Sequence, residues 1–539
     1  MDTTMLVNLL LGLVPIIWLV IALTGLKMPG YKACGIAIAF AAVVAIPYKG
    51  MAPFNCGTAI LEGVLSALWP IILVIIAALF TYNLVLETGA MDRIKAMLSG
   101  ISSDKRILAI IIGWSFGCFM EGMAGFGTAV AIPASILIAL GFEPLPTLVG
   151  LLIVNSTPTA FGSVGVPTTT LASLLANRLE MDASTLALSL SANTALIEAL
   201  LMFFSPFFMV FVIGKGFKAF RGILPIVLVS SLAFTVPNFL VATFIGPELP
   251  DIIGSGCSMA ITIPLAIAMR NKPVPEEYRI AAGKQQKLSI SVAEGVKAWS
   301  PFILIFVLLL GTSKLVPFIN APLSTIKSSF QIYAGPVEKP TLTTFSWINT
   351  PGVWIIIAAV IGGLIQGASP QKIASVFGHT VASNVKTIVT ICSVLATAKI
   401  MVYSGMTTDV AVALVAITGG IFPLFSPLVG VLGAFVTGSG TNTGVLFGPL
   451  QQETANQIYV LPGKHILAEW LCAANAMGAG IGKMIAPSNV ALACAAAGIA
   501  GQESKVIRAV FKYTLIYTII GGIICFALAN AVTLAHVVP

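Results

Sequence analysis

Apolar stretches long enough to cross a lipid bilayer recur from one end of this chain to the other, and no other feature restricts its fold as strongly. A helix crossing a hydrocarbon core about 30 Å thick needs about 20 mostly apolar residues. The clearest stretches lie at 5–26, 32–48, 64–86, 185–213, 222–245, 252–270, 298–313, 351–368, 387–403, 411–436 and 512–533. Together with the glycine- and proline-rich segments between them, they predict an all-α polytopic membrane protein of roughly 12–14 spans. Charge agrees with this. Only 9% of the residues are Asp, Glu, Lys or Arg, whereas a chain whose surface faces water carries about 25%. The first stretch lacks a cationic leader and is too long for a cleaved signal, so it is expected to stay as the first helix.

The formal net charge of +8 does not mark a nucleic-acid binder, because the bases sit in short segments between spans. They collect at Lys27 and Lys32, Arg93 to Arg106, Lys215 to Arg221, Arg270 to Lys297, Lys372, and Lys505 to Lys512. The positive-inside rule makes these segments cytoplasmic. It leaves 48–57, 178–184, 246–251, 314–350 and 404–410 outside, together with both termini. The 8 cysteines show no CxxC spacing, and His379, His465 and His536 are far apart. That pattern offers neither a disulfide framework nor a metal site, and no cofactor is implied.

The segment 271–297, with RNKPVPEEYR and KQQK, is the most charged in the chain and reads as a cytoplasmic seam between two halves. Each half carries the same ordered elements. GFGT at 125–128 is followed by Asn155, Gly162, Pro167 and Thr168; GSGT at 438–441 is followed by Asn475, Gly482, Pro487 and Ser488. Because one half begins outside and the other inside, the repeat is expected to be inverted, as in many secondary transporters.

Glycine and proline within an apolar span leave backbone groups unpaired, and lipid cannot satisfy them, so broken helices must face protein or a watery cavity. The densest such segments are 121–135, 155–170, 437–450 and 475–489. A site is expected there, with helix ends and hydroxyl or amide groups suited to a carboxylate. Its expected binding residues are Gly125, Gly127, Thr128, Asn155, Ser156, Thr157, Gly438, Gly440, Thr441, Asn442, Thr443, Asn475, Lys483, Ser488 and Asn489, with Thr159 beside them. Small residues also let membrane helices approach closely, and for a single glycine that reading serves as well. Intramembrane charges are costly, about 3 kcal/mol or more, and so mark function. Lys483 is expected to act as counter-ion to an anion or to snorkel to the surface. Glu121 is the first choice for carrying a proton, with a helix cap or a partnership with Lys483 as the other readings. Asp251 is a second proton-coupling residue; Asp251 and Glu248 are placed in an outer loop, and Glu198 more centrally in its span. Lys399 and Asp409 are read as marking the interfacial ends of a span.

The runs MEGMAGFGTAVAIPASILIALGF, IVNSTPTAFGSVGVP, FIGPELPDI, VTGSGTNTGVLF and GKMIAPSNVALACAAAG resemble the L-lactate permease family, and the match extends from the first span to the last. The resemblance implies proton-coupled uptake of L-lactate, D-lactate and glycolate through a bacterial cytoplasmic (inner) membrane, by a transporter and not an enzyme. It also implies inverted repeats with two re-entrant or broken-helix hairpins, in an elevator-type arrangement of scaffold and transport domain. On that pattern, 1–213 is the first repeat, with scaffold helices 5–86 and transport segments 107–175. Connecting helices fill 214–270, the linker is 271–297, and 298–539 is the second repeat, with scaffold helices 298–368 and transport segments 387–500. The expected partners are a small monocarboxylate, a proton and membrane lipid, with a possible homodimer through the scaffold. A Na⁺-coupled carboxylate transporter of the same architecture is the nearest rival, with the ion held around 438–443. A membrane enzyme or receptor has less support, because no nucleophile–base pair, metal cluster or cofactor motif is present.

Overall fold

The computed structural model describes residues 3–125, 127–281, 291–336, 342–458 and 464–537, without the side chains of 464, 465 and 532–537. The middle of the expected linker, 282–290, lies outside the described residues. Ten of the described helices are long and apolar enough to cross a membrane, and two sharply bent helix pairs bring the count to 12. Helices dominate because a chain in lipid must satisfy its own backbone, which an α-helix does within a single segment.

Several elements depart from the sequence expectation. The stretch 64–86 is the second part of a longer helical segment, Pro53–Glu87, interrupted where Trp69 leaves helical geometry before Pro70. The stretch 411–436 is two helices, Met406–Thr418 and Phe422–Thr437, separated at Gly419–Ile421. The segment 314–350 contains an antiparallel hairpin, Lys327–Gln331 with Leu342–Ser346, in which Ser329 faces Thr344. The Trp69 indole N–H donates to the Ser346 carbonyl at 2.8 Å and fastens that hairpin to the helices.

Two units of identical plan hold the centre. In the first, a helical hairpin (Gly117–Met123 and Thr128–Ala139) precedes a helix that breaks between Pro144–Ser156 and Gly162–Leu175. In the second, the hairpin Phe422–Thr437 and Gly440–Ile458 precedes a helix that breaks between Lys464–Lys483 and Pro487–Ala496. The bends are 58° and 43°. Glycine brings these parts together, because it lets backbone meet backbone. A Cβ on Gly478 would lie 2.0 Å from the Pro427 carbonyl oxygen, and one on Gly482 would lie 2.3 Å from that of Val431. One on Gly480 would lie 2.1 Å from the Ser156 carbonyl oxygen, so the two broken helices touch near their breaks. At the end near the linker, buried Arg106 pairs with Asp104 at 2.7 Å and lies over the Tyr278 ring.

Candidate functional site

The two hairpin tips and the two helix breaks converge on one small polar cavity of about 50 Å³. The first hairpin contributes Glu121 and Gly127, and the first break Thr159, Gly162, Ser163 and Pro167. The second hairpin contributes Gly438, Ser439, Gly440 and Thr441, and the second break Lys483 and Asn489. Both tips turn through left-handed glycines: Gly125 has φ +58° and Gly438 has φ +69°. Each glycine also lies hard against a serine, since an added Cβ would meet Ser163 Oγ at 2.3 Å and Ser488 Oγ at 2.2 Å respectively. Neither position admits a side chain without displacing the other half of its unit.

An ion pair crosses the cavity wall. Lys483 Nζ is 2.7 Å from Glu121 Oε1, and the Asn155 amide donates to Glu121 Oε2 at 3.0 Å. Glu121 is 2% exposed and Lys483 8%. Two charges so far from water are stable only together, and removing one leaves the other uncompensated. Glu121 lies in the last turn before the first tip, whereas Lys483 ends the helical part that precedes the second break. The short 3₁₀ turn Pro158–Phe161, and Ser163, Val164 and Gly165 in left-handed conformation, swing the first break aside. Gly162 then faces Glu121 so closely that an added Cβ would lie 2.7 Å from Oε1.

A larger cavity of about 410 Å³ adjoins the small one and shares Gly438, Ser439 and Thr441 with it. Tyr31, Lys386, Thr387, Thr390 and Asn442 line its other walls. The Lys386 ammonium lies 5.8 Å from the centroid of the Tyr31 ring.

Of the residues expected from sequence, Glu121, Gly127, Gly438, Gly440, Thr441, Lys483 and Asn489 line the small cavity, and Asn442 the large one. Asn442 Oδ1 and Asn489 Nδ2 are buried without a partner among the described residues. Gly125, Thr128, Asn155, Ser156, Thr157, Thr443, Asn475 and Ser488 line neither cavity. Thr128, Ser156 and Thr443 direct their hydroxyls to the carbonyls of Gly125, Ile153 and Ser439, which stabilises the breaks themselves. Buried Asn475 accepts from the Gln451 amide at 3.4 Å.

Two charges lie elsewhere than the sequence reading put them. Asp251 is in the first turn of the helix Pro250–Ala268 and is fully buried against Gly122, because the short 246–249 turn folds inward. Lys399 is inside the helix Val385–Tyr403, paired with buried Glu62 at 2.6 Å while the Tyr403 hydroxyl donates to the same carboxylate. Asp409 stands at a helix end, in the first turn of Met406–Thr418, and pairs with Lys49. Sequence reasoning missed Glu62, although a lone acid in CGTAILEGVLSALW was a signal. It also missed Ser163, which the repeat itself points to: Gly162 matches Gly482, so Ser163 occupies the place of Lys483.

The family model for L-lactate permease matches residues 8–532. An L-lactate permease of Streptococcus iniae is 41% identical over 456 residues, covering 84% of this chain and 92% of that protein. A glycolate permease of Escherichia coli (strain K12) is 34% identical, covering 97% and 96% of the two chains. An L-lactate permease of the same strain is 33% identical with the same coverage.

Proposed function

The chain belongs to the L-lactate permease family and is a multi-pass membrane transport protein; from that premise we propose that it imports L-lactate, D-lactate and glycolate by proton symport with alternating access, through a bacterial cytoplasmic membrane. The observation that carries this reading is the Glu121–Lys483 pair on the wall of the cavity.

In the empty carrier the two charges neutralise each other. A proton arriving on Glu121 removes the partner of Lys483, and the ammonium then takes the substrate carboxylate in its place, a charge-assisted bond of the same kind. Asn489 and Thr441 stand at the same cavity as donors for a carboxylate or 2-hydroxyl group. Neither proton nor anion binds well alone, because either by itself leaves a net charge in a buried site. The empty and fully loaded carriers are both neutral at the site, so both can reorient, and one proton moves with each anion.

The cavities support an inward-facing reading of this conformation. The larger one leads from the site to Tyr31, beside Lys32, and to Lys386, an end the positive-inside rule assigns to the cytoplasm. The other end is latched: Asn177 donates to the Leu342 carbonyl of the β-hairpin at 3.1 Å, and Arg178 pairs with Glu453 at 3.0 Å. On this reading, segments 107–175 and 387–500 move against helices 5–86 and 298–368.

The test is uptake of labelled L-lactate into Na⁺-free proteoliposomes under an inward proton gradient, with D-lactate, glycolate and a dicarboxylate as competitors. Accumulation blocked by the monocarboxylates alone is expected. Glu121→Gln should lose gradient-driven accumulation and retain lactate exchange. Uptake that requires Na⁺ at fixed pH, or full accumulation by Glu121→Gln, would overturn the reading.

A further inference from the structure

Two carboxyl groups outside the cavity have no role in the exchange of partners at Lys483, and neither has a counter-ion of its own. Glu198 and Asp251 are both 0% exposed. Glu198 has no hydrogen-bond partner on either oxygen among the described residues. Asp251 receives the Asn238 amide on Oδ1 at 3.1 Å, and its Oδ2 is unpartnered. The charged groups acting on Asp251 are Glu121 and Lys483, and the one acting on Glu198 is Asp251. Asp251 is next to Glu121 along the packing as well, for a Cβ on Gly122 would lie 2.6 Å from Asp251 Cβ. An ionised carboxylate with no paired cation and at most one donor does not recover its lost hydration, so each of these groups is stable there as the neutral acid and holds a proton.

The helix Ala183–Ile213 extends this acid row toward its own first turn. Ser191, Thr194 and Glu198 lie on one face, one turn apart, and all three are fully buried. In membrane helices, buried hydroxyls commonly donate back to the carbonyl of the preceding turn. Ser205, lower in the same helix, does so to Leu201 at 2.8 Å. The Ser191 and Thr194 hydroxyls have no hydrogen-bond partner among the described residues, so they are turned away from their own backbone. A gap of one turn is about 5.4 Å along the axis, which a single water bridges.

We propose that Ser191, Thr194, Glu198 and Asp251 form a proton path that delivers protons to Glu121 from the end of the molecule where the Ala183–Ile213 helix begins. Asp182 caps the helix there, and the sequence assigns that end to the outer side. Asp251 gives its proton to the Glu121 carboxylate, Glu198 reprotonates Asp251, and a proton from outside reprotonates Glu198 along the hydroxyls. No other bond changes. The path does not pass through the substrate cavity, and one-to-one coupling requires that it reach Glu121 only while the carrier faces outward. The inference rests on the proton-symport reading above.

The experiment compares wild type with Glu198→Gln and Asp251→Asn in proteoliposomes, measuring gradient-driven lactate uptake from pH 5 to 8 and lactate exchange without a gradient. Each amide copies the shape of the neutral acid and cannot pass a proton. Gradient-driven uptake should fall about a hundredfold or more, the scale of a lost positioned proton donor, and should lose its pH dependence while exchange stays within about twofold. Exchange also reports folding, and if Asp251→Asn fails to fold, Glu198→Gln decides alone. Wild-type proton-driven uptake by Glu198→Gln would overturn the path, and so would an equal loss of uptake and exchange, which marks a structural role. Those outcomes leave the symport reading standing. If the wild type itself accumulates lactate only with Na⁺, the symport reading falls and the path with it.

Discussion

The two central units share a plan and divide the chemistry between them. Their broken helices align with Asn155 on Asn475, Gly162 on Gly482 and Pro167 on Pro487, and their tips align with Gly125 on Gly438. On those alignments Lys483 matches Ser163, and Glu121 matches Ala434. One unit supplies the acid and the other the base, so neither can neutralise its own buried charge. The breaks differ in shape too. The first turns through three consecutive left-handed residues, Ser163 to Gly165, whereas the second resumes at Pro487 without any. The shared plan thus accounts for the frame of the site, while its charge comes from matched positions at which the two units differ.

The sharpest way to break this comparison is to exchange the matched residues for alanine. Lys483→Ala leaves Glu121 buried and unpaired and should cost about 3–5 kcal/mol, whereas Ser163→Ala should cost about 1 kcal/mol. Thermal unfolding in detergent measures both, and uptake should be abolished only in the first. Adding Glu121→Ala to Lys483→Ala should recover part of the loss; strict additivity would mean that the pair does not interact.

The left-handed turn is a smaller but more local difference. Gly165 has φ +72°, and a Cβ there would lie 2.4 Å from the Pro247 carbonyl oxygen. Gly165→Ala should cost at least about 1–2 kcal/mol from the backbone conformation alone. At the matched Ile485, the conservative change Ile485→Val should cost about 0.5–1.5 kcal/mol. Equal costs would remove the distinction between the breaks.

At the tips the units should behave alike. Gly125→Ala and Gly438→Ala each force a Cβ against a serine, and Ser163→Ala and Ser488→Ala respectively should restore part of the melting temperature. Rescue in one unit alone would show that the tips are not equivalent.

The smallest effect concerns the turn against which the first break packs. Burial pushes the Glu248 carboxyl up to about 6 from its ordinary 4.5. A raised folded-state value means that its contribution to stability is present below about 4.5 and lost as pH rises through about 6. Glu248→Gln should flatten that part of the melting-temperature profile, and an unchanged profile would acquit Glu248.

Much of the fold was legible because its signals are local. Spans follow from runs of apolar residues, breaks from clustered glycine and proline, and the doubling from two motifs in the same order. Span 411–436 misled because Gly419 and Gly420 sit in an otherwise continuous apolar run, and a break of three residues leaves hydropathy unchanged. Lys399 was misplaced for a different reason. Its partner, Glu62, is 337 residues away, and a lysine near the end of an apolar run looks the same whether it snorkels or pairs.

The sequence by itself determined that this is a helical membrane protein, that helices break in the glycine- and proline-rich segments around the site, and that Glu121 and Lys483 are charges of consequence, since lipid prices each residue by its own chemistry. Only the tertiary structure decided that those two, 362 residues apart, are each other's partner, and that Asp251 stands buried against Gly122, next to Glu121. Partner choice depends on which backbones can approach within ångströms, as Gly480 does at Ser156, and that is a property of two segments together which neither one's composition contains.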